Sequence, residues 1–197
     1  LVSCALIGVL GYMQSRDALY ENAVERLDFI SQVKLEQVQS TFEAVHGQLE
    51  SLNRSEVIST GVENLVVAFG SEKPEDIRAE YAKPDMSRDQ RMAVTGENSR
   101  SIYSWRHIGL HAAFVALRRS TGLSEVYLLQ PDGQIIYSTT KSDAFLQNIN
   151  TMGQSPLADV AKSAMTLSRG ESVFHDFAPY DSGETKVSAF WAMPIFP

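Results

Sequence analysis

Apolar side chains recur every three or four positions along the first third of the chain. This spacing puts them on one face of an α-helix, and a sustained seven-residue period favours a partner helix. No proline interrupts residues 14–69. We therefore predict a long helix over residues 15–69, broken near 53–61, that serves dimerisation and signalling or, alternatively, packs on its own domain. The apolar positions are Tyr20, Val24, Leu27, Ile30, Leu35, Val38, Phe42, Val45, Leu49 and Leu52.

The middle of the chain predicts a polar connector and a second helix. Residues 70–101 are rich in charge and contain two prolines, so we predict a connector with one short helix over Glu75–Tyr81. The next residues carry a broad apolar face at helical spacing, and Gly122 supplies a stop signal. We predict a helix over Ile102–Arg119.

The pattern changes to strands after this helix. Two β-rich runs, Glu125–Gln130 and Gln134–Thr139, flank the sequence Pro-Asp-Gly, which is a hairpin signal because proline presets φ and glycine accepts a positive φ. A helix over Pro156–Ser168 and two more strands over Ser172–Phe177 and Val187–Ile195 follow. The order predicts an α+β fold, with a long N-terminal helix followed by an antiparallel sheet and covering helices.

The first thirteen residues carry no charge and are almost wholly apolar. A membrane-spanning helix needs about 20 such residues, so this stretch alone is too short. We interpret residues 1–14 as the outer end of a transmembrane helix that begins upstream. The tail of a cleaved signal peptide and a lipoprotein cleavage box at Cys4 are the alternatives.

Composition narrows the class of protein. The chain has 197 residues, a net charge of −7 and 44% hydrophobic residues, which is typical of a globular domain with one long extra element. No Lys/Arg stripe is present, so we expect no nucleic-acid partner. A single cysteine excludes an internal disulfide and a cysteine-based zinc site. Neither a G-x-S-x-G turn nor a phosphate-binding glycine loop occurs, so we expect no catalytic residues, no cofactor and no enzyme activity.

Several short motifs occur in one order along the chain. They are YSWRHIGLHAAF over residues 103–114, VYLLQPDGQIIYSTTK over 126–141, FHDFAPYDSG over 174–183 and AFWAMPIF over 189–196. Together with the long helix behind an apolar start, this order resembles the Cache domain, the PAS-like extracytoplasmic sensor of bacterial chemoreceptors and sensor kinases. The resemblance covers residues 14–196.

The resemblance implies a fold, a location and a role. Residues 70–197 would be a PAS-like Cache domain, incomplete at its C-terminus and forming the membrane-distal part of a double Cache module. The chain would be a parallel homodimer in the bacterial inner membrane, with the domain facing the periplasm or cell exterior. It would sense a small-molecule ligand for a methyl-accepting chemotaxis protein. A sensor histidine kinase, a nucleotide-cyclase receptor, a non-sensing coiled-coil surface protein and a secreted hydrolase are the alternatives.

The second predicted helix carries candidate ligand contacts. Trp105 and Arg106 could supply an aromatic wall and a guanidinium fork for a carboxylate or phosphate. His107 and His111 lie four residues apart, which suits packing, ligand contact or a shared metal, but no third metal ligand is evident. We therefore predict His111 as a ligand contact and no metal site.

The strands carry the other candidates. Tyr127 and Tyr137 lie on the first two predicted strands, where alternate side chains line the hollow of a PAS-like sheet. Asp176 follows an apolar run and could accept a ligand ammonium or cap a turn. Tyr180 and Asp181 are nearest to the Tyr-x-Asp segment of the amino-acid-binding Cache branch. That branch also has Arg before a Trp-Tyr pair, whereas the order here is Trp105-Arg106, so the resemblance leaves the identity of the ligand open. We expect a cavity between sheet and helix, lined by Trp105, His111, Tyr127, Tyr137 and Asp176.

Overall fold

The computed structural model describes residues 2–180 and 186–196, with the side chains from Tyr12 onwards except Met13. The predicted α+β class is confirmed, because helices and two antiparallel strand pairs make up the regular structure. The chain divides into two compact units, residues 1–47 and 48–197. Candidate residue Asp181 lies outside the described residues.

The first unit is formed by helix α1, which spans Val2–Asn53 and whose last turns belong to the second unit. Its apolar stripe is exposed: Tyr20 is 72%, Leu27 63% and Leu35 58% accessible. The helix break that was predicted near residues 53–61 covers only residues 54–55, and helix α2 then spans Glu56–Gly70. Among the helices of the described residues, none is long and apolar enough to cross a membrane.

Four more α-helices follow α2 among the described residues of the second unit. Helix α4 was not predicted, yet Ser87 and Gln90 form a complete capping box at its start, and S-x-x-Q is a helix-start signal. Helices α5 and α6 begin where predicted, but α6 ends four residues early. The helices are α3 (Pro74–Tyr81), α4 (Arg88–Ala93), α5 (Ile102–Thr121) and α6 (Pro156–Ala164).

The strands form two separate antiparallel pairs among the described residues. Both predicted strand pairs are present, although the first has shorter strands than expected, and the turn predicted between the second pair lies mostly outside the described residues. The turn of the first pair includes Gly133 at φ 88°, as the Pro-Asp-Gly signal requires. The strands are β1 (Tyr127–Leu129) with β2 (Ile135–Ser138), and β3 (Val173–Pro179) with β4 (Val187–Ala192).

The main core lies where α2, α5 and β2 meet. Leu65, Leu110 and Phe114 are buried there, and the two helices approach closely at Gly61, where an added Cβ would lie 2.9 Å from a methyl carbon of Leu110. Strand β2 is buried along its whole length. A polar side chain directly after β2 therefore lies in the protein interior, away from bulk water.

Candidate functional site

Lys141 lies three residues beyond the end of β2 and is fully buried. Its Nζ is 3.2 Å from the carbonyl oxygen of Val94 and 3.5 Å from that of Thr139, and it lies 5.6 Å from the centre of the Tyr81 ring. The backbone of Lys141 has φ 50°, a left-handed conformation that is strained for a residue with a Cβ. Strain of this kind persists only where the surrounding structure holds it, and it clusters at functional sites.

His111 connects Lys141 to the core. Its Nε2 lies 2.8 Å from the carbonyl oxygen of Met92 and 3.4 Å from Lys141 Nζ. A carbonyl oxygen only accepts hydrogen bonds, so Nε2 of the neutral imidazole carries the proton. Nδ1 is then an acceptor and receives the Tyr137 hydroxyl at 2.7 Å. An ammonium on Lys141 would face a second donor at 3.4 Å, so this arrangement favours the neutral amine.

His107 is one helical turn before His111 on α5 and is fully buried. Its Nδ1 lies 3.1 Å from the Thr95 carbonyl oxygen, which makes Nδ1 the donor and Nε2 an unprotonated acceptor. That Nε2 is buried and has no hydrogen-bond partner in the described structure. The His107 and His111 rings stack at 4.6 Å. We call Lys141, His107 and His111 the base cluster.

The base cluster holds one stretch of backbone. His111, Lys141 and His107 contact the carbonyl oxygens of Met92, Val94 and Thr95, respectively. We call residues 92–95 the carbonyl segment; it leaves α4 and leads towards α5. The Tyr81 hydroxyl also donates to the Thr95 carbonyl oxygen at 3.2 Å. Because three carbonyl oxygens of the segment contact titratable nitrogens, a change of charge in the cluster acts directly on this backbone.

Burial makes the three bases reluctant to take up protons. It lowers the pKa of Lys141 to about 7, an effect that the charge of Glu125 partly opposes. Burial, followed by the nearby Lys141 charge, lowers the pKa of His111 to about 4. The pKa of His107 lies well below its usual value because of burial and of the charges on Lys141 and His111. The histidines are therefore neutral at physiological pH, and Lys141 is poised to change charge there.

Aromatic rings and hydroxyls surround the base cluster. Tyr81 is 4.6 Å from the His107 ring and donates to Ser104 Oγ at 2.9 Å, while Tyr103 donates to the carbonyl oxygen of Ile136 at 2.8 Å. Burial raises the pKa of both tyrosines and of Tyr137, so their hydroxyls remain donors. Tyr81, Tyr103 and Tyr137 thus form an aromatic shell around the polar base cluster.

Acidic side chains lie around the cluster, but their oxygens are engaged elsewhere. Glu125 accepts bonds from the Thr140 N–H at 2.9 Å and from the Ser138 hydroxyl at 3.2 Å, and it also contacts the Thr139 and Thr140 hydroxyls. Glu80 accepts from Ser99 and Ser104. In the part of the chain that is described, no carboxylate lies within ion-pair distance of Lys141 Nζ.

Two of the predicted site residues meet in the base cluster and its shell. These are His111 and Tyr137. The inward orientation expected of Trp105 is wrong, since its side chain is 71% accessible, and Arg106 is also exposed. The buried face of α5 contains Tyr103, His107 and His111. Trp105 and Arg106 lie between the first two of these and therefore point to solvent. A one-position difference on a helix turns a side chain by roughly 100°, which the broad apolar pattern did not resolve.

The other predicted residues lie elsewhere. The Tyr127 hydroxyl pairs with Ser142 at 3.0 Å and also bonds Tyr180, whose ring packs on Phe190. Asp176 was expected to face inward or to cap a turn; it lies within β3, is exposed, and its Oδ1 accepts from the Phe177 N–H at 2.7 Å. These side chains do not join the base cluster.

Sequence reasoning missed Lys141 as a site residue. It had one signal, a lysine directly behind an apolar strand in the run IIYSTTK, where a solvated lysine is not expected. Tyr81 and the carbonyl segment join the site through contacts between parts of the chain that are distant in sequence, so no local pattern predicts them. No group of three or more His, Cys, Asp or Glu within the described residues is arranged to hold a metal ion.

Comparison of this chain with models of protein families, with curated proteins and with solved structures found no match.

Proposed function

We propose that this chain is the extracytoplasmic ligand-sensing domain of a bacterial transmembrane receptor, and that the base cluster is its binding site. The observation that carries the proposal is the burial of Lys141, without a carboxylate partner in the described structure, at a strained backbone position. A buried amine of this kind costs several kcal/mol relative to an apolar residue, so stability alone does not account for it. Strongly perturbed groups of this kind are candidates for functional sites.

The contacts of the cluster suggest how binding reaches an output. A ligand that competes for His111 or Lys141 displaces the carbonyl segment, which leads towards α5. Helix α5 packs on α2, and α2 follows α1 after a two-residue break. A ligand shifts such a system only if it binds the two arrangements with different affinity. Discrete rearrangement of packed helices is an established way of transmitting such a shift.

The exposed stripe of α1 supports the assembly part of the proposal. Apolar side chains at Leu35, Val38 and Phe42 follow seven-residue spacing and are 58%, 52% and 37% accessible. A continuous apolar seam of this kind is typical of a helix that pairs with a second copy. We propose a parallel homodimer, anchored in the bacterial inner membrane through residues 1–14. The resemblance to Cache sensors makes a chemotaxis receptor our first choice of output.

A thermal-shift screen tests the sensing proposal. A ligand of the folded state adds about 2.7 kcal/mol at a hundredfold excess over Kd, or roughly 5–10 °C in melting temperature for this chain length. Amino acids, organic acids, amines and purines form the library. We expect at least one hit that Lys141→Met removes and that Lys162→Met, a change at an exposed lysine of α6, leaves intact.

The same screen separates the alternatives. A hit that Trp105→Ala removes and Lys141→Met does not would place the site on the exposed side of α5. A broad screen without any hit would favour the non-sensing surface protein, for which the α1 stripe would serve assembly alone.

A further inference from the structure

Two of the three nitrogen bases in the base cluster use their hydrogen-bonding capacity incompletely. His107 Nε2 is buried and has no partner among the described residues. The contacts of Lys141 Nζ are 3.2, 3.4 and 3.5 Å long, whereas a charge-assisted N–H···O bond is about 2.7–2.9 Å. Both groups would gain from a new partner.

The side chains around the base cluster indicate which charge the missing partner should carry. The groups that face Lys141 are neutral or basic: Tyr81 from α3, and His107 and His111 from α5. The Arg91 guanidinium contacts the Lys141 carbonyl oxygen at 3.2 Å and adds positive charge nearby. The nearby carboxylates of Glu125 and Glu80 are bonded to hydroxyls and backbone N–H groups. An anion is the partner that this site lacks within its own side chains.

We propose that Lys141, His107 and His111 bind the carboxylate of a small organic acid, and that each bound anion brings one proton into the cluster. This inference rests on the proposed sensing function and names its ligand class. The incoming proton makes Lys141 an ammonium that donates to the anion, and His107 becomes a donor without a second proton when its ring proton moves from Nδ1, which leaves the Thr95 carbonyl, to the unpartnered Nε2. The incoming carboxylate replaces the Val94 carbonyl oxygen as the acceptor of Lys141. The carbonyl segment is thereby released.

The proton is required by the electrostatics of the interior. An unpaired carboxylate in a low-dielectric site is strongly disfavoured, whereas a hydrogen-bonded ion pair is tolerated. Because burial holds the Lys141 pKa at about 7, part of the lysine is neutral in the free protein at that pH and must take up a proton to pair with the anion. Linkage then makes the affinity for the anion fall as pH rises.

Titration calorimetry with sodium formate and sodium acetate tests this inference on the chain as it stands. Near pH 8 we expect the heat of binding to differ between Tris and HEPES, whose ionisation enthalpies differ, by the amount for about one proton taken up per anion. We expect Kd to rise about tenfold for each pH unit above the Lys141 pKa. Acetamide, the neutral isostere of acetate, should not bind.

Matched variants make the test specific to the cluster. Lys141→Met and His107→Gln should each weaken acetate binding more than about tenfold, the loss expected when a partner of a buried charge is removed. Lys162→Met should leave the affinity unchanged. Circular dichroism establishes that each variant is folded, and the His107 variant keeps the test valid if the Lys141 variant is not.

The results that would overturn the inference are distinct from failure of the sensing proposal. Binding without a buffer-dependent heat, equal binding of acetamide, or binding that survives both substitutions rules out the proton-coupled anion site. Absence of formate and acetate binding at millimolar concentration does the same. If an amine or a purine instead gives a Lys141-dependent melting shift, the sensing proposal stands and the carboxylate assignment falls.

Discussion

The Nδ1 atom of His111 and the hydroxyl oxygen of Tyr137 are 2.7 Å apart, and in this bond the tyrosine is the donor. The Met92 carbonyl oxygen only accepts, so its contact with Nε2 places the imidazole proton there and leaves Nδ1 to accept from Tyr137. A core tyrosine on β2 therefore completes the hydrogen bonding of the histidine that holds the carbonyl segment.

Removing this hydroxyl should weaken the fold measurably. We expect Tyr137→Phe to lower the free energy of unfolding by about 1–3 kcal/mol, because it leaves a buried acceptor on His111 without a donor. Urea denaturation measures the change. Tyr12→Phe is the matched control, since Tyr12 is 70% exposed and its loss should cost less than about 0.5 kcal/mol. Equal effects of the two changes would contradict the role of the Tyr137 hydroxyl.

Replacing the buried lysine should raise stability near neutral pH. Folding lowers the Lys141 pKa from 10.5 to about 7, so the folded state binds fewer protons than the unfolded chain between these values. The penalty is full below pH 7 and fades as pH rises towards 10.5. We expect Lys141→Met to be more stable than the parent by about 2 kcal/mol at neutral pH, and the gain to shrink in alkali.

Thermal melts across pH test this expectation, with Lys162→Met as the exposed control. A stability gain of Lys141→Met that grows with rising pH would contradict the neutral amine at Lys141. An equal stability gain in Lys141→Met and Lys162→Met would contradict it too.

Acid should destabilise the chain through the buried histidines. Folding lowers the His111 pKa from 6.5 to about 4, so the unfolded chain takes up protons in this window before the folded chain does. Stability therefore falls as pH drops from 6.5 to about 4, by about 3 kcal/mol for this group at most. We expect His111→Gln, which keeps a donor and an acceptor, to lose part of this acid sensitivity. His175→Gln, a change on β3, should retain it in the same urea titrations.

Gly96 should be intolerant of a side chain. It has φ 78°, and an added Cβ would lie 2.0 Å from the Tyr81 hydroxyl oxygen and 2.8 Å from Cβ of Ser104. We expect Gly96→Ala to cost more than about 3 kcal/mol, because backbone strain is added to steric overlap. Gly122→Ala isolates the strain alone, since Gly122 has φ 74° and no atoms within 4 Å of its added Cβ. Equal losses in urea unfolding would show that the contact with Tyr81 is unimportant.

The α1 stripe should cross-link with helical periodicity. In a Cys4→Ser background, single cysteines at Leu35, Val38 and Phe42 should form disulfide-linked dimers at high protein concentration, because these positions share one face. Ser40→Cys, on the opposite face, should not. Uniform cross-linking at all four positions would argue against a defined parallel seam.

The sequence is a good guide to those elements whose signals are local. The α1 stripe, the Pro-Asp-Gly turn and the stop at Gly122 each depend on residues a few positions apart, and all three are present in the structure. Trp105 was misjudged because a broad apolar pattern does not fix the rotation of a helix. The role of Lys141 was missed for another reason, because its partners at Val94 and His111 are 47 and 30 residues away.

Hydrogen–deuterium exchange of the carbonyl segment tests the central claim most directly. The compound that gives the largest melting shift in the screen is added to the parent chain and to Lys141→Met, and exchange is followed by mass spectrometry in peptides that contain residues 92–95. Ligand binding to the base cluster predicts faster exchange there in the parent and no change in the variant. Loss of the bonds from Lys141 and His111 to the carbonyl oxygens frees the segment, so its amide bonds, such as Val94 N–H to the Arg91 carbonyl, open more often. Unchanged exchange in the parent, or the same change in both proteins, would contradict the account.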